Sequence, residues 1–212
     1  MDKQSSYVDN HYIFNTWAKN GQSEYMEIEH KKTTIKFLQK IKFNEHFTFL
    51  DIGCGNGWLL REISKSRNCK NSIGIDNSHN MIQNALNKKK STKENYVVGD
   101  ILTYDFRMKF DYIFSIESLY YIVPMEKILH IVYELLKPHG VFFCGTDFYS
   151  ENSESINWPV KMNLNMDLRS KNEWYKMFRN IGFKTQIKQV TDEFDPTEWR
   201  REIGTLFIIG KK

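Results

Sequence analysis

Asp51-Ile-Gly-Cys-Gly-Asn-Gly57 places three glycines at alternate positions where the apolar run Phe47-Thr-Phe-Leu50 should turn from strand into helix. Lacking a Cβ, glycine lets a ligand lie directly against such a turn. A nucleoside is the guest that suits it, and the next chemistry-bearing residue agrees. Asp76 ends the run Ile73-Gly-Ile-Asp76, 19 positions after Gly57, and one carboxylate there can accept hydrogen bonds from both hydroxyls of a ribose. The plainer alternative for Asp76 is an acidic residue favoured near a helix N-terminus by the helix dipole. A nicotinamide dinucleotide would use the same carboxylate, but its fingerprint is G-x-G-x-x-G, whereas a single residue, Asn56, separates the last two glycines here.

Leu50-Asp-Ile-Gly-Cys-Gly-Asn-Gly57 resembles the first motif of the class I S-adenosylmethionine-dependent methyltransferases. The resemblance implies S-adenosylmethionine as cofactor, S-adenosylhomocysteine as product, and cofactor contacts from Asp51, Gly53, Cys54, Gly55, Gly57, Asp76, Asn77 and Met81. In Tyr96-Val-Val-Gly-Asp100-Ile101 it puts Asp100 on the adenine amino group and Ile101 against the ring. An exocyclic amine is a donor, so a carboxylate is its fitting partner; an ordinary turn Asp after Gly99 is the alternative. The stretch Phe110-Asp-Tyr-Ile-Phe-Ser-Ile-Glu-Ser-Leu-Tyr-Tyr121 resembles the segment that passes under the methionine part. Ser115 and Ile116 would then line the cofactor, while Glu117, Tyr120 and Tyr121 face the methyl acceptor and are the candidates for catalysis. Upstream, Tyr7, Tyr12, Phe14 and Trp17 crowd before Ala18-Lys-Asn-Gly21. Tyr12 and Trp17 are candidates to close over the sulfonium by cation–π attraction, with helix-to-sheet packing as the competing role. Leu136-Lys-Pro-His-Gly-Val141 resembles a later Leu-Lys-Pro-Gly-Gly motif at the structural end of the sheet, where His139 turns the chain. The resemblance is close from Phe47 to Gly145 and topological beyond.

Positioning these residues requires alternating elements. A leading helix is expected over Glu24 to Ile41, then a strand Phe47 to Ile52, a helix Gly57 to Ser66, a strand Asn71 to Asp76, and a helix Ser78 to Lys90 with Ser78 as N-cap. Strands follow at Tyr96 to Val98 and Phe110 to Ile116, then a helix Glu126 to Lys137 stopped by Pro138-His-Gly140, and a strand Val141 to Thr146. Such alternation forces parallel strands joined by right-handed crossovers. Asp147 to Leu168 loses the pattern and reads as a loop or lid, before a helix Lys171 to Ile181 and strands Phe183 to Val190 and Thr205 to Ile209. The resemblance implies that the last two strands form an antiparallel hairpin, so the expected fold is α/β: a Rossmann-like, seven-stranded, mostly parallel sheet with helices on both faces and an antiparallel final strand. A single domain over 1–212 is expected, made of an N-terminal helical cap (1–45), a cofactor-binding core (46–146), the insertion (147–168), and a C-terminal helix and hairpin (169–212).

Composition narrows the class. With 212 residues, 41% hydrophobic and 15% aromatic, the chain can bury a core. A mean hydropathy of -0.56 and the lack of a long apolar run argue against a membrane span, and Met1-Asp-Lys-Gln-Ser-Ser6 shows no secretion signal, so the cytoplasm is the expected compartment. Cys54, Cys69 and Cys144 are too scattered for a disulfide or zinc framework, the histidines show no ligand spacing, and no metal is expected. Cys54 reads as a space-filler with no base beside it. The net charge of +4 comes in short clusters such as Lys88-Lys-Lys90 that suit a solvated surface better than a nucleic-acid patch. A sulfonium carries its own reactivity, so the protein need only align the acceptor, exclude water and, where required, take a proton. The leading expectation is methyl transfer to O, N or C of a small molecule. An RNA or protein methyltransferase and a noncatalytic cofactor-binding subunit are the alternatives, and a homodimer stays open.

Overall fold

The computed structural model describes residues 10–212; Tyr7 lies outside them. Seven strands form one sheet: β1 (Phe47–Ile52), β2 (Cys69–Asp76), β3 (Glu94–Val98), β4 (Phe110–Ile116), β5 (Leu136–Thr146), β6 (Lys184–Val190) and β7 (Thr205–Lys211). Their order is β3-β2-β1-β4-β5-β7-β6. Pairings among β1 to β5 are parallel, while β7 runs antiparallel to both β5 and β6. Between β1 and β4 the order reverses direction, and ligands of open α/β sheets bind outside the carboxyl ends of the strands at such a switch point.

Eight helices surround the sheet among the described residues: α1 (Asn10–Trp17), α2 (Gln22–Leu38), α3 (Trp58–Ile63), α4 (His79–Asn87), α5 (Met125–Leu135), α6 (Trp158–Met162), α7 (Lys171–Ile181) and α8 (Glu198–Glu202). Two separate hydrophobic clusters show that both sheet faces are covered. One joins α5 and α7 to Phe142, Cys144 and Ile208, and the other joins α2 and α3 to Phe49, Phe114, Phe143 and Phe207. Every residue of β1 is consequently buried, as strands sandwiched by helices on both sides must be. Phe37 of α2 stacks on Phe207 of β7 with ring centroids 4.0 Å apart, fastening the N-terminal helix to the far half of the sheet.

Two sequence expectations are revised. Leu135 ends α5, and β5 begins at Leu136, before Pro138-His-Gly140. Leu136 is fully buried and pairs with Phe110, so an apolar residue that fits the helical period is claimed by the sheet; Lys137 then pairs with Asp111 at 2.7 Å. The Asp147 to Leu168 stretch is also more tightly held than a loop or lid. Phe148, Tyr149 and Leu164 are fully buried in the α5/α7-side cluster, and Tyr149 Oη donates to Gly204 O at 3.0 Å. Polar spacing hides these anchors because they are separated by turns and by α6.

Phe37→Ala should lower unfolding stability by about 3–5 kcal/mol, the cost of deleting a buried aromatic ring. Urea denaturation followed by circular dichroism checks this, and a loss under 1 kcal/mol would mean that α2 is not fastened through this ring.

Candidate active site

A crevice of about 380 Å³ opens over the carboxyl ends of β1, β2 and β4. Its floor is the glycine loop, where the three glycines meet two different demands. A Cβ on Gly53 would lie 2.4 Å from Ser118 Cβ, and one on Gly57 would lie 2.6 Å from the Tyr96 ring, so these two permit close packing. Gly55, at φ +52°, has nothing within 4 Å of the Cβ position: its missing side chain leaves open space in the crevice wall.

Asp76 fixes this loop. Its Oδ2 accepts from Gly55 N at 2.9 Å and its Oδ1 from Ser78 N at 2.9 Å. One carboxylate therefore clasps the β1–α3 loop and the start of α4 while each oxygen keeps a further lone pair. Burial raises the Asp76 pKa, and the two backbone N–H groups work in the opposite direction. Ser78 is the N-cap of α4, accepting from Met81 N at 3.2 Å. Asn56 Nδ2 donates to Ser23 O and Glu27 Oε2, and Arg61 bridges Asn56 O and Glu27. The loop is thus tied to α2.

Asp51, 1% exposed at the end of β1, has an Oδ1 with no hydrogen-bond partner. Burial, with the nearby Asp76 charge adding to it, pushes its pKa well up. A buried carboxyl in this state is an acceptor awaiting a cation or donor.

The expected cofactor residues Asp51, Gly53, Cys54, Gly55, Asp76, Asn77, Met81, Asp100, Ile101, Ile116 and Trp17 all line the crevice. Asp100 sits in a turn that its Oδ1 stabilises by accepting from Leu102 N at 2.9 Å. Gly57, Ser115 and Tyr12 are placed differently. Gly57 packs on Tyr96; Ser115 Oγ donates to Ile52 O at 3.1 Å, bracing β1 against β4; Tyr12 is 67% exposed on α1. The aromatic of α1 that closes the crevice beside Trp17 is Phe14, edge-on to Tyr121 at 5.0 Å and to Trp17 at 5.4 Å. α1 is docked by polar contacts: Asn15 Oδ1 accepts from Ser78 Oγ and Asn80 N.

At the other end stand Glu117 and Tyr121, with Tyr120 behind them. Glu117 holds a left-handed φ of +52°, a conformation rare for side-chain-bearing residues and often found at functional sites. Its Oε2 accepts from Tyr120 Oη at 2.8 Å and its Oε1 from Asp147 N. Burial, and then the Asp147 charge, lifts its pKa to about 8. Two residues that no local motif marks complete this end. His30 of α2 lines the crevice, 5% exposed, and its Nδ1 stands 3.3 Å from Oδ2 of the fully buried Asp147. They are 117 positions apart, so only the fold brings them together.

Comparison with known proteins matches residues 43–182 to a methyltransferase domain. The chain belongs to the methyltransferase-domain family. The chain is 30% identical over 225 aligned residues to the sterol 24-C-methyltransferase of Clavispora lusitaniae, a match covering 94% of the chain and 60% of that protein. It is 29% identical to the Candida albicans enzyme of the same name, over 76% of the chain and 46% of that protein. The chain thus spans about half the length of these relatives. A solved Haloferax volcanii methyltransferase, in complex with the Trm112 methyltransferase activator, superposes with TM-score 0.87 at 27% identity over 97% of this chain and 99% of its own.

Replacing Asp51 by Asn removes a charge that folding has to bury. Because the carboxyl's pKa is raised in the folded state, its stabilising contribution is present at low pH and is lost as pH rises through the folded value. At pH 7 the ligand-free Asp51→Asn protein should melt about 2–4 °C higher, equivalent to about 1 kcal/mol, a gain that shrinks towards pH 4. A lower Tm at pH 7 would show that Asp51 is already compensated.

Proposed function

We propose that this chain binds S-adenosylmethionine in the crevice and transfers its methyl group to a small-molecule acceptor, releasing S-adenosylhomocysteine. The observation that carries this reading is the pairing of an open cradle at Gly55 with two carboxylates at neighbouring strand ends, Asp76 and Asp51. In this reading the free lone pairs of Asp76 accept the ribose hydroxyls, and Asp51 meets the positively charged amino-acid end, where an ammonium would compensate its partnerless oxygen. Asp100 accepts from the adenine amine, with Ile101 against the ring. When bound, the cofactor supplies a methyl carbon on a positive sulfur, open to in-line displacement. Phe14, Trp17 and Tyr121 cover the crevice from the α1 side and exclude water, a condition that strengthens every charge interaction inside.

The chain divides in this reading into the α1–α2 cap (1–45), the cofactor core (46–146), the packed insertion (147–168) and the C-terminal helix with its hairpin (169–212). The acceptor lies between the cap, Glu117 and Tyr121. Relatives that are named for a sterol acceptor support a small molecule there. Among the described residues no helix is long and apolar enough to cross a membrane.

The Haloferax volcanii neighbour, aligned over nearly its whole length, supports a companion reading in which the chain works with a small activator subunit. Turnover should then rise at least about tenfold, a gain of about 1.4 kcal/mol in transition-state stabilisation, when the activator homologue of the same organism is added. Unchanged turnover and no co-elution would remove the activator from the reading.

Asp76→Ala should weaken S-adenosylhomocysteine binding by about 1–3 kcal/mol, the usual penalty for stranding polar partners, and Gly55→Val should abolish it by filling the cradle. Isothermal titration calorimetry on both variants and the unaltered chain checks this. Wild-type titration curves from the two variants would place the cofactor elsewhere.

A further inference from the structure

The inner end of the crevice holds a charge cluster that cofactor binding does not use. His30, Glu117 and Asp147 are all buried and bring their imidazole nitrogens and carboxylate oxygens within 4.8 Å of one another. A cluster of this composition could hold a cation, but its configuration is that of a proton device. Both oxygens of Glu117 already accept hydrogen bonds, from Tyr120 Oη and Asp147 N, and Asp147 Oδ2 already faces the His30 ring. Hard divalent ions need about six oxygen ligands, more than the two carboxylates of this cluster supply.

His30 bridges the cluster and the crevice. One nitrogen approaches Asp147 at 3.3 Å, short of hydrogen-bond alignment, and Nε2 has no hydrogen-bond partner. Catalytic hydrogen bonds are often long or misaligned before a substrate arrives. Asp147 is itself held in place, with Asn152 Nδ2 donating to its backbone carbonyl at 2.7 Å. A nucleophile-activating base needs this arrangement: a carboxylate that fixes the tautomer with Nδ1 protonated and leaves Nε2 bare. The geometry points to His30 as the general base of methyl transfer, with Asp147 as its positioning residue, and therefore to an acceptor whose reacting atom carries a proton, an O–H or N–H group.

This rests on the cofactor reading above. The acceptor's oxygen or nitrogen forms the new bond to the methyl carbon as the carbon–sulfur bond breaks. The bond's electron pair stays on sulfur, which becomes the neutral thioether, and the acceptor's proton passes to His30 Nε2. The imidazolium so formed is stabilised by Asp147. Two further charged or titratable groups face this pair, Glu117 at the end of β4 and Arg200 of α8, and Tyr120 and Tyr121 stand against Glu117. Burial lowers the His30 pKa, but the close contact with the Asp147 carboxylate and the charges of Glu117 and Asp147 outweigh it, so the net shift is upward. Burial likewise raises Asp147, yet the contact with His30 and the Arg200 charge bring it below the ordinary range. Burial, and then the Asp147 charge, pushes Glu117 up to about 8.

The test is 15N NMR of the histidine side chains in the full chain saturated with S-adenosylhomocysteine, from pH 5 to 9, with His30→Gln used for assignment. The expected result is a His30 signal titrating above the ordinary histidine value, whose neutral form is protonated on Nδ1 and bare on Nε2. In Asp147→Asn the midpoint should fall and the tautomers mix. A ring with its neutral proton on Nε2, or one that stays charged across the range, overturns the assignment.

Turnover with methyl-tritiated S-adenosylmethionine and a panel of phenols, amines and carboxylic acids supplies the second readout. The rate should rise with pH through the His30 midpoint, and His30→Gln should lose about 100-fold or more in turnover while binding S-adenosylhomocysteine within about threefold of wild type. Glu117→Gln should keep the pH limb. Full activity in His30→Gln, or activity abolished by a chelator and restored by a divalent ion, overturns the assignment. Failure of the unaltered chain to bind S-adenosylhomocysteine at all would instead refute the cofactor reading.

Discussion

Asp76 is the constraint on which the crevice depends. A strand end and a glycine-rich turn have no intrinsic reason to stay in register, because the turn carries few side chains to anchor it. By accepting one backbone N–H from Gly55 and one from Ser78, the carboxylate couples the loop after β1 to the turn after β2. The same Ser78 caps α4 and donates to Asn15, which places α1 over the opening. A chain of short polar contacts therefore runs from a strand tip to the cover of the site. The hydrophobic core around it sets only the rough position of each element.

The two ends of the crevice differ in electrostatic character. At the cofactor end burial pushes both the Asp51 and the Asp76 carboxyls up and leaves Asp51 Oδ1 without a hydrogen-bond partner, an arrangement that a positively charged guest would relieve. At the inner end the charges face one another: His30 stands against Asp147, beside a Glu117 carboxyl that burial pushes up. An unbalanced site binds a cation, whereas a balanced cluster can pass a proton without creating a lone buried charge. The strained backbone of Glu117 is consistent with a residue held in place by its neighbours and not by its own preference.

Much of the cofactor end was legible in the sequence because it is local: the spacing of Gly53, Gly55 and Gly57, and acidic residues closing apolar runs at Asp76 and Asp100. Strand alternation likewise announced the parallel sheet, and the resemblance its antiparallel finish. What the sequence hid is tertiary. His30 sits in a helix of mixed amphipathic pattern, and its partner Asp147 follows a strand 117 positions further along the chain. Tyr12 and Phe14 are two positions apart on α1, so helical geometry sends one to solvent and the other to Tyr121. Ser115 is occupied by the backbone of β1, a contact that depends on strand order. In the same way Leu136 satisfies both a helical period and a strand start, and only its pairing with Phe110 decides between them.

A crystal structure of the full chain grown with S-adenosylhomocysteine tests the central claim most directly. Both ribose hydroxyls should lie at hydrogen-bond distance, about 2.5–3.0 Å, from the Asp76 carboxylate, with the adenine beside Asp100 and Ile101 and the amino group near Asp51. An unoccupied crevice at saturating ligand, or a ribose bound away from Asp76, would contradict it.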